Sequence, residues 1–132
     1  MLQGINILVA EDNVLNQKIV TFLLQKEHAA VVGVLNGRFA IDALREQNFD
    51  VILMDLQMPE MDGYAATNHI RQVMHIDIPI IAVTASISDE EQDESLSAGM
   101  NAYISKPFDP QGLCKVILNL VHEHKSKLYT EK

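Results

Sequence analysis

The chain has 132 residues, the size of one domain, and sets 10 Lys+Arg against 18 Asp+Glu for a net charge of −8. That acidity argues against direct nucleic-acid binding, and 48% hydrophobic with 21% charged residues excludes global disorder. A single cysteine, Cys114, excludes an intrachain disulfide or a multi-thiolate zinc site. With no secretory signal and no apolar run near the ~20 residues of a membrane span, it points to a cytoplasmic protein without membrane contact.

Five short runs rich in Val and Ile alternate with segments of helical spacing. The runs are Ile5–Ala10, Ala29–Leu35, Val51–Met54, Ile80–Thr84 and Ala102–Ser105. Several are almost continuously apolar, as strands covered on both faces of a parallel sheet should be. After the first run, Asn13 is a candidate N-cap. Leu15, Ile19, Phe22 and Leu23 then follow at i, i+4, i+7, i+8, which predicts a helix buried along that stripe. Asn36-Gly37 opens a second helix marked by Ala40, Ala43 and Leu44, and Ala66, Ile70 and Val73 mark a third. The fourth, about 89–98, carries Asp89, Glu90, Glu91, Asp93 and Glu94 with only Leu96 and Ala98 as apolar anchors, and Gly99 can close it as a left-handed cap. Such thin apolar burial predicts a marginal, mobile helix with a solvated acidic face. Asp109-Pro110 starts a fifth helix along Leu113, Ile117, Leu120 and Val121. The alternation predicts an α/β fold with a doubly wound parallel sheet. Residues 1–124 form the domain and 125–132 a polar C-terminal tail or the start of a linker.

Open α/β sheets bind ligands beyond the carboxyl ends of their strands. Glu11 and Asp12 follow the first run, Asp55 the third, Thr84 ends the fourth and Lys106 follows the fifth, so three carboxylates, a hydroxyl and an ammonium converge on one rim. Two carboxylates ~4 Å apart repel by about 4 kcal/mol at an effective dielectric near 20. Lys106 supplies only one compensating charge. A hard divalent cation answers the remainder, and Mg²⁺ suits a shallow site that leaves room for waters and a phosphoryl oxygen. A carboxylate, a cation, an ammonium and a hydroxyl together make a phosphoryl-acceptor site.

Four ordered motifs resemble response-regulator receiver domains. They are Ile7-Leu8-Val9-Ala10-Glu11-Asp12-Asn13, the run Met54 to Gly63 (MDLQMPEMDG), Val83-Thr84-Ala85 and Lys106-Pro107-Phe108. The run Glu11–Gln17 is further similar to receivers of hybrid sensor histidine kinases. The resemblance spans about residues 4–122. It implies a flavodoxin-like five-stranded sheet of order 2-1-3-4-5, with Asp55 accepting a phosphoryl group from a histidine of a kinase or phosphotransfer domain. Glu11, Asp12 and Asp55 would hold Mg²⁺, with the backbone carbonyl of Gln57. Lys106 would pair with one phosphoryl oxygen, and Thr84 would donate to another. Tyr103 matches the family's switch aromatic, turning inward as Thr84 moves and so reshaping a surface that a downstream protein reads. A cis Lys106–Pro107 peptide, aiming the ammonium inward, is also implied. The chain would catalyse its own phosphorylation and dephosphorylation and not turn over a metabolite, with Gln57 and Ser86 flanking the path of attacking water.

Other candidates carry less. His122 and His124 sit two apart on a helix and point apart, so they make no metal pair. Cys114 sits beside an apolar stripe and is expected to be a half-buried packing residue, Glu60 and Asp62 are expected to face solvent, and Met58 and Met61 are packing residues that could line a partner surface. The alternatives are a stand-alone single-domain regulator and a phosphate-independent interaction module on the same fold. A Mg²⁺-dependent phosphatase would want a second acid where Gln57 stands.

Overall fold

The apolar runs pair into one sheet in a computed structural model that describes residues 1–85, 88–106 and 109–130, with side chains in the last stretch as far as 127. Strands β1 (Asn6–Ala10), β2 (Ala30–Val34), β3 (Val51–Asp55), β4 (Ile80–Thr84) and β5 (Ala102–Ser105) are separated by α1 (Val14–Lys26), α2 (Gly37–Glu46), α3 (Gly63–Gln72) and α4 (Asp89–Ala98), and α5 (Pro110–Thr130) closes the chain. All pairings are parallel in the order β2-β1-β3-β4-β5. This is the flavodoxin-like arrangement expected from the sequence.

The two-residue period of a strand sorts the core. Ile7, Val9, Leu53, Ile81 and Val83 face one way and meet Val20 and Leu24 of α1 and Leu113, Ile117 and Val121 of α5. Leu8, Ala10, Ile52, Met54, Ile80 and Ala82 face the other way, against Ala40, Ile41 and Leu44 of α2 and Ala66 and Ile70 of α3. Complete burial of one such aliphatic side chain stabilises the fold by about 1.5–3 kcal/mol. Cys114 joins the α5 core and is buried. Residues 125–130 of the expected polar tail are helical, because α5 runs on to Thr130.

Helix α1 turns the expected stripe outward. Leu15, Ile19 and Phe22 are 66%, 49% and 64% exposed, and Val20 and Leu24 bury in their place, with Leu23 between. The helix carries two apolar stripes, each with the 3.6-residue period, and spacing alone does not say which one meets the sheet. The choice follows from Gln17, which shares the inner face and whose side chain bonds to the sheet end at Glu11 O and Val34 O. In the same way Val73 is the 62% exposed C-cap of α3 and no part of its buried face.

Leu96 is 54% exposed, and the buried residue of α4 is Ser95, whose hydroxyl donates to Glu91 O at 2.8 Å. The helix is held by its ends. Ser88 and Glu91 form a capping box, and Gly99 closes the C-terminus at φ 109°. Arg71 of α3 fastens that C-terminal end, donating to Gly99 O (3.0 Å), Ile76 O (2.8 Å) and Asn101 Oδ1 (2.9 Å). Arg71→Ala removes all three bonds, leaving Asn101 Oδ1 only the Ile80 amide at 2.9 Å, and is expected to lower stability by about 2 kcal/mol. A urea midpoint equal to that of the parent protein would show that the clasp contributes nothing.

Candidate functional site

The carboxyl ends of β1, β3, β4 and β5 meet at one rim. Glu11 leaves β1 with its amide donating to Val34 O at 3.0 Å, which prolongs the β1–β2 ladder by one bond. Asn13 then caps α1, its side chain accepting from the Asn16 amide at 2.9 Å. The cap turns the chain sharply and leaves Glu11 buried but Asp12 exposed. Asp55 is the last residue of β3. Its Oδ1 accepts the Gln57 amide at 3.1 Å, an Asx-type turn that fixes the carboxylate.

Gly63 supports this turn from below. Its amide donates to Leu56 O at 3.2 Å, and a Cβ in its place would overlap the carbonyl of Asp55. Asp62, expected to face solvent, instead caps α3 by accepting the Ala65 amide at 2.9 Å. The β3–α3 connection therefore holds Asp55 through contacts on both sides.

Lys106 bridges the site, with its Nζ 2.7 Å from Glu11 Oε1 and 3.2 Å from Asp55 Oδ2. Its amide donates to Thr84 O at 2.7 Å, locking the start of the β5–α5 connection to the end of β4. Thr84 is buried at that strand end. One carboxylate oxygen from each of Glu11, Asp12 and Asp55 lies within 4.8 Å of the other two. Beneath them Val9, Val20, Leu53 and Val83 form an apolar floor.

This floor dictates the electrostatics. Burial, with the neighbouring Asp55, pushes the Glu11 carboxyl up to about 7 from 4.5, against the opposing pull of Lys106. Burial disfavours the charge on Lys106 too, but Glu11 and Asp55 outweigh it and hold its pKa above the ordinary lysine value. One ammonium cannot compensate both partners and Asp12 as well. Glu11 Oε2 is buried with no hydrogen-bond partner, an acceptor waiting for a cation or a proton.

The sequence-derived site residues Glu11, Asp12, Asp55, Thr84 and Lys106 thus meet at one rim. Gln57 adjoins them through its amide, on an exposed loop. Tyr103 stands apart, 40% exposed on β5, with its hydroxyl donating to Gln92 Oε1 of α4 at 2.9 Å. Ser86, Pro107 and Phe108, and with them the expected cis Lys106–Pro107 peptide, lie outside the described residues. His122 is exposed, whereas His124 is partly buried with its Nε2 3.7 Å from Asp77. Among the described residues no helix is long and apolar enough to cross a membrane.

Comparison with known proteins agrees with this geometry. The response regulator receiver domain family model matches residues 7–118. The autoinducer 2 sensor kinase/phosphatase LuxQ of Vibrio vulnificus is 40% identical over 117 residues, covering 89% of this chain and 14% of that protein. Probable histidine kinase 6 of Oryza sativa is 34% identical over 141 residues, covering 92% of this chain and 14% of the kinase. The chain therefore spans about a seventh of the length of these relatives. Among solved structures, the receiver domain of the sensor histidine kinase PA1611 from Pseudomonas aeruginosa, with a magnesium ion coordinated in its active-site cleft, superposes with a TM-score of 0.82 at 37% identity, covering 90% of this chain and 98% of that one. Three carboxylates and a lysine gathered at the strand ends of a 2-1-3-4-5 sheet, in a chain matched across residues 7–118, identify a member of the response regulator receiver domain family, similar to the receivers of hybrid sensor histidine kinases.

Proposed function

We propose that Asp55 is the phosphoryl acceptor of this receiver, charged by a histidine of a kinase or phosphotransfer domain in a reducing, cytoplasmic compartment. The observation that carries the reading is the Lys106 bridge between Glu11 and Asp55 beside the unpartnered Glu11 Oε2. An Asp55 oxygen forms a bond to phosphorus as the phosphorus–nitrogen bond of phosphohistidine breaks, and the departing imidazole nitrogen keeps the bonding pair. In the later hydrolysis, water takes the phosphoryl group and Asp55 returns to carboxylate. Glu11, Asp12 and Asp55, with the Gln57 carbonyl, would hold Mg²⁺. The cation fits because three carboxylates face one ammonium, and when bound it neutralises charge on the transferred group. Lys106 clamps one phosphoryl oxygen and Thr84 hydrogen-bonds another. As Thr84 is drawn in, Tyr103 gives up Gln92, and α4, held mainly by its caps, shifts for a downstream partner to read.

The relatives favour a receiver belonging to a hybrid sensor kinase over a stand-alone regulator. Intact mass after exposure to Mg²⁺ and phosphoramidate should show one added phosphoryl group, and none in EDTA. Incorporation that ignores EDTA would remove the metal from the reading.

The outward stripe of α1 supplies the donor's landing surface. Leu15 lies three residues from Asp12, and Ile19 and Phe22 continue the same face for about 10 Å, so a protein delivering phosphate to Asp55 must cover it. Phe22→Asp should slow phosphorylation by the protein donor at least about tenfold, leave phosphoramidate labelling unchanged, and alter stability by no more than about 0.5 kcal/mol. Equal slowing with both donors would place the defect in the site itself.

A further inference from the structure

Gln17 lies outside the acidic cluster, yet its side chain ends at the backbone from which two members of the cluster project. Its Nε2 donates to Val34 O at 2.7 Å and to Glu11 O at 3.3 Å. Val34 O also accepts the Glu11 amide at 3.0 Å. The Glu11 peptide groups are thus gripped on both sides, at the point where the parallel ladder has ended at Ala10 opposite Val34 and no further strand residue is left to hold them.

The space for this grip comes from a glycine within β2, one residue before the strand's end. A Cβ at Gly33 would lie 2.5 Å from Gln17 Oε1, 2.7 Å from Cδ and 3.1 Å from Cγ. Glycine inside a strand costs stability and often marks close approach by another group. Here that group is the Gln17 side chain, lying across the strand with its amide turned to the two carbonyls. Both contacts are donated, so a residue of the same shape without N–H fills the slot but does not grip.

We infer that Gln17, seated over Gly33, is a positioning residue that fixes the Glu11–Asp12 backbone so that the two successive carboxylates stand at the spacing a divalent cation requires. The inference rests on the reading of the acidic cluster as a Mg²⁺ site. Glu11 and Asp12 sit where β1 has stopped and α1 has not begun, and a small rotation there moves both ligands together. Metal affinity is sensitive to such supporting contacts.

Mg²⁺ titration by calorimetry tests this, alongside urea stability in EDTA and exchange of the Glu11 amide without metal. Gln17→Met keeps the volume and removes the donor. It should weaken Mg²⁺ binding by about threefold to tenfold and speed Glu11 amide exchange more than that of Leu8. Gly33→Ala should weaken binding similarly in the parent protein but add nothing in a Gln17→Ala background, where the slot is empty. Parent-like Mg²⁺ affinity in Gln17→Met, or equal effects of Gly33→Ala in both backgrounds, overturns the positioning role. A parent protein that takes up no Mg²⁺ overturns the metal reading as well, and is distinguished by appearing before any substitution is made.

Discussion

Asp55→Asn is expected to abolish phosphoryl incorporation and, in Mg²⁺-free buffer, to make the protein more stable. The first effect follows from the chemistry. The amide is a far poorer nucleophile than the carboxylate, and neither Glu11, which is buried, nor Asp12, which is exposed, occupies its place at the end of β3. The second follows from charge. With Glu11 ionised, three carboxylates share one ammonium, and one oxygen of each lies within 4.8 Å of the others, where two unit charges at the limit of that range repel by about 3.5 kcal/mol at an effective dielectric of about 20. The substitution removes two such repulsions and gives up the 3.2 Å contact to Lys106, which keeps its 2.7 Å bond to Glu11. The net gain should be about 1 kcal/mol, read as a higher urea midpoint in EDTA. Intact mass and the denaturation curve together separate a lost acceptor from a damaged fold. A phosphorylated Asp55→Asn protein would move the acceptor elsewhere.

Mg²⁺ affinity should fall steeply in acid because Glu11 holds a proton that the cation must displace. Its carboxyl is pushed up to about 7 by burial and by Asp55. Below that pH each cation bound releases up to one proton, and the apparent affinity declines toward tenfold per pH unit, about 100-fold weaker at pH 5 than at pH 8. The linkage to folding has the opposite sign to that of an ordinary salt-bridged acid. Between pH 4.5 and about 7 the folded protein keeps a proton that the unfolded chain has lost. Metal-free stability therefore falls as pH rises across that window, by about 3 kcal/mol, and is level above it. Saturating Mg²⁺ should erase the fall. Calorimetry in two buffers of different ionisation enthalpy counts the released protons, and Glu11→Gln should flatten both profiles. A metal-free protein equally stable at pH 5 and pH 8 would show that Glu11 ionises without cost.

The location of the site was legible in the sequence because it depends on chain order. Each apolar run is almost uninterrupted, so its end is sharply marked, and the residue after it must stand at the carboxyl edge whatever the helices do. Glu11, Asp55, Thr84 and Lys106 could therefore be gathered without coordinates, and Asn13 and Gly99 could be read as caps from local backbone chemistry alone. Asp62 reads in the sequence as a solvent-facing acid, because its role as a cap depends on α3 beginning at Gly63. Gln17 stands in the sequence only as part of the Glu11–Gln17 run, and its role depends on a partner strand, where Gly33 is the one local sign of a close approach.

Side-chain order along the chain thus determined the fold class, the strand ends and the membership of the acidic rim, since those follow from periods of two and from local caps. Which of two apolar stripes α1 buries, that α4 hangs on its caps and on Arg71, and that Glu11 is raised to about 7 while Lys106 reaches both Glu11 and Asp55 were decided only in three dimensions. These properties depend on what lies across the gap. A helix period is satisfied equally by either stripe, and the energy of a charge is set by neighbours up to 95 residues away in the chain, as Lys106 is from Glu11.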